Sequence, residues 1–488
     1  MTTAMKTEHL LIAACIAGPL PCTAQNENAV WLFDETVGLD FMTDPPTVLH
    51  GPSGFGGDGV AVISDAEGQL VLSADEIQIR NAQYQVLVNG NNLNSDWNQN
   101  RKSMFLPWPG HPGQYYLIQT RAWNPNYPDA RAVYHRIDVN GSGGIGEVVE
   151  RDIILSDSAA QYMTAVLDAE GTGIWLILHH TYRPVFMAYH LDANGLSNTP
   201  VLSEAGPLIE AWGYQGLGIL RPSPDGDRLY MSKCYQICTT DTWLHLMDFD
   251  RATGEISAFV TFDDDGGSTG LEVSASGQYL YNVTYACDFD LGIATRLWQY
   301  DVSSGDSATI RDSRILVYEA PIVTPELGCY GRQGNLALSI DGRIYCGKNR
   351  GSHLAVINQP DLQAPACAYV HDGIWLEGDT SWLWLPNQMR EYPVAQHTMI
   401  RDEAARALAS MPVRPVPAGQ GCWITLPDVG IQHVALLDGL GRCVRDMPRP
   451  MGQRELHLDR LALASGLYSL VAKDRLGRTV ATGRVVFE

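Results

Sequence analysis

The chain has 488 residues and a formal net charge of −22, with 45% hydrophobic and 18% charged residues. This balance is that of a globular protein and excludes a disordered chain. An acidic surface repels phosphate backbones and anionic lipid, so nucleic acid is not an expected partner. The 47 Gly, 27 Pro, 21 Tyr and 12 Trp, with few segments of helical period, favour an all-β protein.

Residues 1–24 have the features of an export signal. Lys6 precedes an apolar run, Leu10 to Leu20, and Cys22-Thr-Ala24 offers small residues for cleavage after Ala24. The run is too short to span a bilayer, and no other stretch approaches that length, so no transmembrane segment is expected in the mature chain. Ile12-Ala-Ala-Cys15 resembles a lipobox and leaves a lipoprotein alternative open.

A β-hairpin unit recurs along most of the chain. Its clearest copy is Ser223-Pro-Asp-Gly-Asp-Arg-Leu-Tyr-Met-Ser232, in which a tight Asp225-Gly226 turn precedes an apolar run. Gly takes φ > 0 without a Cβ clash, and Asp stabilises the turn by bonding its own backbone. Six copies have turn glycines spaced by 45 to 65 residues, namely Gly68, Gly113, Gly171, Gly226, Gly277 and Gly342.

Most copies continue into a second hairpin, as in Leu246–Gly254 and Trp298–Gly305. Two hairpins make a four-stranded sheet, and repeats of this length are typical of β-propeller blades. Early strands within residues 29–41 and the late segment Trp382–Pro386 are predicted to build a further blade from both ends of the repeat region. We therefore predict a β-propeller over residues 25–388, with seven blades favoured and six or eight as alternatives.

The pattern changes after residue 388. Residues 389–412 are predicted to be a linker that contains a short helix, Asp402–Ala409. Residues 413–488 then contain five short strand-like runs separated by turns, which predicts a small Ig-like β-sandwich. The runs are Cys422–Leu426, His433–Leu437, Arg454–Leu458, Leu467–Val471 and Arg484–Phe487.

The C-terminal segment resembles the C-terminal sorting domain of the type IX secretion system of Bacteroidetes. It has a Pro-x-Pro-Ala opening, a strand followed by Asp-x-x-Gly-Arg, and a Leu-x-x-Leu stretch that ends in Gly-x-Tyr. It lacks the usual Asn between the prolines and the usual lysines of the last strand. The residues that carry the resemblance are Pro415, Pro417, Asp438, Gly441, Arg442, Leu458, Leu461, Gly466 and Tyr468.

This resemblance implies passage through the periplasm, docking to the type IX secretion machinery, and delivery to the outer cell surface or the medium. An ordinary Ig-like accessory domain is the alternative. The repeat region is also similar to the propeller of large surface proteins from the same bacteria, through Trp31-Leu-Phe33 and Leu338–Tyr345. Its hairpin unit resembles lactonase-like propellers too, but that unit builds blades and implies no catalytic residues.

Removal of the signal would leave eight cysteines, an even number that permits disulfides in an exported chain. Cys234 and Cys238 are close enough to pair locally, and Cys422 and Cys443 lie in the same C-terminal segment. These four residues are the candidate disulfide cysteines, although sequence alone does not give the pairing.

Three motifs are candidate sites. Gly141-Ser-Gly-Gly-Ile-Gly146 fits G-x-G-x-x-G, but a β-rich segment follows it, which favours a turn between strands. The adjacent His179 and His180 point to opposite faces of a strand, which disfavours a shared metal. Asp263, Asp264 and Asp265 could bind Ca²⁺ through carboxylate oxygens, but the EF-hand spacing is absent and a solvated turn is favoured.

The sequence assigns no catalytic residue and no cofactor other than this candidate Ca²⁺. A non-enzymatic surface or secreted propeller is therefore the favoured function, with loops that bind a glycan, another surface protein or a host ligand. A propeller hydrolase, lactonase-like or glycan-active, with its site in the central funnel is one alternative. A structural surface-layer component is the other.

Overall fold

The computed structural model describes most of the repeat region and parts of the C-terminal segment. The chain divides into two compact units, Gln25–Thr398 and a second unit made of Met399–Glu488 with Met1–Ala24. The described residues are 26–33, 37–51, 60–75, 77–93, 101–121, 130–209, 218–233, 243–263, 267–288, 292–320, 333–381, 383–393, 409–410, 413–415, 421–426, 431–437, 443–448, 454–460, 463, 466–474 and 479–487.

The described strands of the first unit form seven antiparallel sheets, which we number as blades 1 to 7. The first two have three strands each. Blade 1 contains β1 (Val30–Phe33), β2 (Val37–Asp40) and β3 (Thr47–His50). Blade 2 contains β4 (Ala61–Ser64), β5 (Leu70–Ala74) and β6 (Ile79–Asn81).

Blades 3 and 4 are larger sheets. Blade 3 contains β7 (Arg101–Pro107), β8 (Gln114–Arg121), β9 (Arg131–Asp138) and β10 (Glu147–Ser156). Blade 4 contains β11 (Ala159–Leu167), β12 (Ile174–His180), β13 (Phe186–Asp192), β14 (Gly195–Leu196) and β15 (Val201–Ser203).

Blades 5 to 7 have four strands each. Blade 5 contains β16 (Gly218–Pro222), β17 (Arg228–Lys233), β18 (Trp243–Phe249) and β19 (Ile256–Asp263). Blade 6 contains β20 (Gly267–Val273), β21 (Tyr279–Asp288), β22 (Gly292–Asp301), helix α1 (Ser307–Asp312) and β23 (Ile315–Glu319). Blade 7 contains β24 (Gln333–Leu338), β25 (Ile344–Lys348), β26 (His353–Ile357) and β27 (Tyr369–Trp375).

The recurrent hairpin forms as the sequence predicts. In blade 5, β16 and β17 pair from Gly218 with Lys233 to Pro222 with Leu229. Gly226 closes the intervening turn with a φ of 75°, and its N–H donates to the Ser223 carbonyl at 3.0 Å. A positive φ is strained for residues with a Cβ, which explains the recurrent glycine.

The blades close into a ring through apolar packing between neighbours. Successive blades contact each other through their first strands, so these strands surround the centre of the ring. Shared apolar clusters join blade 1 to blade 2, blades 2 to 4 in one cluster, and then each later pair up to blade 7. The last cluster returns to blade 1, where Trp31 and Phe41 pack on Tyr345 of blade 7 with ring centroids 5.7 and 5.2 Å apart.

The described sheets therefore form a seven-bladed β-propeller, which confirms the predicted fold and the favoured blade number. The predicted composite blade is wrong. Among the described residues, blade 1 comes from residues 30–50, and residues 383–386 form no strand. They are not needed as a strand because the aromatic cluster already seals the junction between blades 1 and 7. Trp382 lies outside the described residues.

In the second unit, two sheets contribute to one apolar core. One sheet contains β28 (Ala409–Ser410), β31 (Ile431–Leu437), β32 (Cys443–Pro448), β34 (Gly466–Asp474) and β35 (Thr479–Phe487). The other contains β29 (Val413–Pro415), β30 (Gly421–Thr425) and β33 (Glu455–Asp459). Two sheets around one core are the arrangement of a β-sandwich.

The first unit extends past the predicted boundary at residue 388, to Thr398. Residues 389–393, predicted as linker, include Met389 and Tyr392, which are buried in the core shared by blades 2 to 4. The predicted helix Asp402–Ala409 lies outside the described residues except for Ala409, which is in β28.

Candidate functional site

Residues 383–393, which we call the strap, run along the central channel of the propeller. The Leu383 carbonyl accepts a hydrogen bond of 2.6 Å from the N–H of Asn335, near the start of β24. Further along, Gln388 Nε2 donates to the carbonyl of Val62 in β4 at 3.1 Å. Arg390 then donates to the carbonyl of Val273, at the end of β20, at 3.0 Å. The strap thus follows the first strands of the blades from one end to the other.

Asn387 fixes the middle of the strap. Its Oδ1 accepts a hydrogen bond of 2.7 Å from Arg221 in β16, and its Nδ2 donates to the Met163 carbonyl in β11 at 3.3 Å. Asn28, before β1, donates to the Met389 carbonyl and accepts from the Tyr392 hydroxyl at 2.6 Å. These contacts come from many blades, so the strap fills the space that a funnel site would need.

A buried ion cluster lies beside the strap. Glu272 in β20 is 4% exposed, and its carboxylate pairs with Arg221 at 3.2 Å and with Arg390 of the strap. Burial lowers the pKa of Arg221, and the charge of Glu272 opposes that effect. Two guanidiniums hold this carboxylate, so it serves to anchor the strap to the ring.

The described residues line two cavities along the channel. One, of about 20 Å³, is lined by Lys102 of blade 3 together with Trp384 and Asn387 of the strap. The other, of about 200 Å³, lies near the ends of the first strands and is lined by Trp31, Arg221, Glu272 and Arg390, among others. Both are bounded by the strap.

A larger cavity, of about 760 Å³, lies away from the axis at the turns of blades 4 to 6, and we call it the rim cavity. The recurrent hairpin of blade 5 supplies much of its wall. Its charged lining residues are Asp225, Asp227, Arg228, Asp248, Asp250 and Arg251.

The charges of the rim cavity are partly paired. Arg251 Nε lies 2.9 Å from Asp227 Oδ1, and Arg228 Nε lies 3.9 Å from Asp248 Oδ1. Partial burial acts to raise the pKa of Asp225, but hydrogen bonds from Ser223 and from the Asp227 backbone outweigh it, so the pKa is lower than usual. The cavity therefore combines ionised acceptors with ionised donors.

The glycine-rich motif and the adjacent histidines do not form sites in the structure. Residues 141–146 form a turn between β9 and β10 with one 3-10 turn, Ser142–Gly144, which confirms the turn interpretation. His179 is fully buried, and burial lowers its pKa to about 3, whereas His180 is partly exposed. Among the described residues, no group of three or more His, Cys, Asp or Glu side chains is arranged to hold a metal ion.

The candidate Ca²⁺ cluster is only partly visible. Asp263 ends β19, in register with Trp243, and its side chain is not described. Asp264 and Asp265 lie outside the described residues. The Ca²⁺ site thus stays a prediction.

The candidate disulfides have different outcomes. Cys422, one of the candidate disulfide cysteines, is a free, buried thiol in this structure, and burial raises its pKa. Cys422 lies in β30 and Cys443 in β32 of the other sheet, and the side chain of Cys443 is not described. Cys234 and Cys238 lie outside the described residues.

The sorting-motif residues that are described belong to the sandwich. Leu458 and Tyr468 are buried in its core, Pro415 ends β29 and Gly466 begins β34. The other residues of the motif lie outside the described part of the chain, namely Pro417, Asp438, Gly441, Arg442 and Leu461.

Arg221, Glu272 and Arg390 were not predicted. A signal for two of them exists in the repeat itself, because Arg221 and Glu272 stand two residues before the turn serines Ser223 and Ser274. A single charge in an apolar strand, at the same place in consecutive repeats and with opposite sign, indicates a buried ion pair at the ring centre.

No helix in the described residues is long and apolar enough to cross a membrane.

No family model matches the sequence, and no curated protein matches it. A functionally unknown protein from Desulfotomaculum acetoxidans has 13% identity and a TM-score of 0.42, covering 74% of this chain and 98% of its own. A putative 6-phosphogluconolactonase from Bacteroides fragilis has 12% identity and a TM-score of 0.35, covering 89% and 99%.

The six-bladed β-propeller lectin of Aleuria aurantia, which recognises fucose, has 11% identity and a TM-score of 0.33, covering 59% of this chain and 82% of the lectin. Similarity at this level carries no functional argument. The sheet order and the closed ring of apolar clusters are what make this chain a β-propeller protein.

Proposed function

We propose that this protein is a binding module that recognises a polyhydroxylated ligand, a segment of glycan, in the rim cavity. The observation that carries the proposal is an open cavity of about 760 Å³ lined by both carboxylates and guanidiniums. Its volume is within the range of small-molecule sites, about 300–1,000 Å³.

The chemistry of the lining suits sugar hydroxyls. Each hydroxyl both donates and accepts, so it can donate to a carboxylate and accept from a neighbouring guanidinium. The Arg251–Asp227 and Arg228–Asp248 pairs place such groups side by side. Hydrogen bonds to charged groups are also stronger than neutral ones.

A hydrolase with its site in the central funnel has less support. The strap lies in that channel, and the carboxylate of Glu272 is already paired with Arg221 and Arg390. No observation favours the surface-layer alternative, which predicts self-assembly of the purified protein without glycan binding.

A glycan-binding screen with the full chain tests the proposal. The double variant Arg228→Met, Arg251→Met removes the two guanidiniums of the rim cavity. We expect at least tenfold weaker binding of any glycan that the native protein retains. Arg296→Met is the matched control, because Arg296 pairs with Glu319 on blade 6 away from the rim-cavity lining. Equal binding by the double variant, or no glycan bound by the native chain, would refute the proposal.

We also propose that the protein is exported through the periplasm and delivered to the outer surface or the medium by the type IX machinery. The proposal is supported by the export-signal features of residues 1–24 and by the sorting-motif resemblance of residues 413–488. We also propose that residues 413–488 form an Ig-like β-sandwich. Deletion of residues 413–488 should trap the protein in the periplasm, detected by cell fractionation. Unchanged surface delivery would rule out this route.

A further inference from the structure

We propose that the 200 Å³ cavity at the end of the channel binds a small oxyanion, namely a carboxylate or phosphate group. This site is separate from the rim cavity and does not depend on glycan binding. Trp31 of blade 1, Arg221 of blade 5 and Arg390 of the strap all line it.

Two buried atoms of the lining residues call for an acceptor. Trp31 is 1% exposed, and among the described residues neither Trp31 Nε1 nor Arg390 Nη1 has a hydrogen-bond partner. Both atoms are donors that cannot accept. A buried donor without a partner costs about 1–3 kcal/mol, so a bound acceptor that reaches either group relieves a cost already present in the fold.

The buried charge has the sign that an anion needs. Arg221 and Arg390 carry two positive charges against the single carboxylate of Glu272, in a chain whose formal net charge is −22. Glu391 also lines the cavity, but it is exposed, so water screens its charge. The buried cluster is therefore locally positive within an acidic protein.

The two side-chain amides that line the cavity already make hydrogen bonds to the backbone. Asn28 and Gln388 line the cavity and donate to the carbonyls of Met389 and Val62. These contacts hold the strap, and with it Arg390, in place before any ligand arrives. A site of this kind avoids part of the ordering cost of binding.

The size of the cavity sets the class of ligand. A volume of about 200 Å³ admits a group of a few heavy atoms and excludes a nucleotide. A carboxylate from an acidic sugar or a small acid and an inorganic phosphate share the same acceptor chemistry. The experiment distinguishes these sources by using acetate and phosphate as separate probes.

Thermal unfolding of the full chain with increasing acetate or inorganic phosphate, at constant ionic strength, tests the site. A ligand that binds only the folded state raises the melting temperature with a saturable dependence on concentration. We expect saturation with at least one of the two anions, and at least tenfold weaker apparent affinity for Arg390→Met. That variant leaves Glu272 paired one-to-one with Arg221.

Trp31→Phe removes the indole donor and keeps an aromatic ring, so it provides a second test if Arg390→Met fails to fold. Arg296→Met is again the control and should behave like the native protein. A melting temperature that rises without saturation, by the same amount in all variants, would be a general salt effect and would overturn the proposal. No anion-dependent change in the native chain would also overturn it.

Discussion

At the level of single residues, Arg221 and Glu272 depart from the apolar pattern of their strands and form a buried ion pair. Both lie at the same place in their hairpins, where blade 7 has the apolar Ala337 before Ser339. Their side chains meet across two blades at 3.2 Å and receive Arg390 from the strap. The cluster was not predicted as a unit because Arg390 lies outside the repeats.

Substitution Glu272→Gln should therefore destabilise the propeller strongly. It leaves two buried guanidiniums without their carboxylate, and breaking a buried ion pair costs about 3–5 kcal/mol. The measurement is the free energy of unfolding in urea. Glu319→Gln is the control, because its pair with Arg296 is largely exposed and should be worth about 1 kcal/mol or less. Similar losses in the two variants would contradict the assignment.

At the scale of elements, the strap differs from everything predicted for it. Its apolar residues suggested a strand, but residues 383–393 belong to none of the described sheets and instead lie among the first strands. Its side chains supply what the channel requires, with Asn387 bound to Arg221 and Tyr392 in the core of blades 2 to 4. The strap is thus packed along the channel and is not a closing strand of a blade.

Two truncated proteins test how much the strap contributes to stability. A protein ending at residue 398 keeps every strap contact, whereas one ending at residue 388 loses Arg390 and Tyr392. Loss of a buried aromatic side chain alone typically costs about 3–5 kcal/mol. We expect the shorter protein to unfold at clearly lower urea concentration than the longer one. Coincident unfolding curves would show that the strap contributes little to stability.

At the scale of the whole molecule, the ring is closed by packing and by one polar clamp. His50 at the end of blade 1 lies 2.8 Å from Asp379 and 3.3 Å from Glu377, which follow blade 7. Hydrogen bonds to Asp379 and then to Glu377 raise the pKa of His50. The clamp joins the first and last blades at their exposed outer side.

The clamp predicts a pH dependence of stability. Because the pKa of His50 is raised in the folded state, its stabilisation is fully present below the unfolded value of about 6.5 and is lost as pH rises through the raised value. His50→Asn should lower the melting temperature at pH 5 to 6 and have less effect as the pH rises above that range. In an Asp379→Asn, Glu377→Gln background, His50→Asn should have no further effect at any pH. A pH-independent loss would exclude the clamp.

The repeat, its turn glycines and hence the all-β propeller follow from the order of the amino acids, because hairpin chemistry is local. Gly226 and Asp225 specify their turn within ten residues of chain. The amino-acid sequence also predicts the strand-rich second unit, through apolar runs such as those ending at Leu437 and Phe487.

The course of the strap, the Glu272 cluster and the rim cavity arise instead from the three-dimensional packing of the blades. Each depends on residues distant in the chain, such as Arg221 and Asn387 or Trp31 and Arg390, whose proximity no spacing encodes. The state of Cys422, a free buried thiol, likewise depends on how the two sheets pack, which its spacing from Cys443 in sequence does not specify. Residues close in sequence specify each turn, whereas the contacts in the central channel depend on how the blades pack around it.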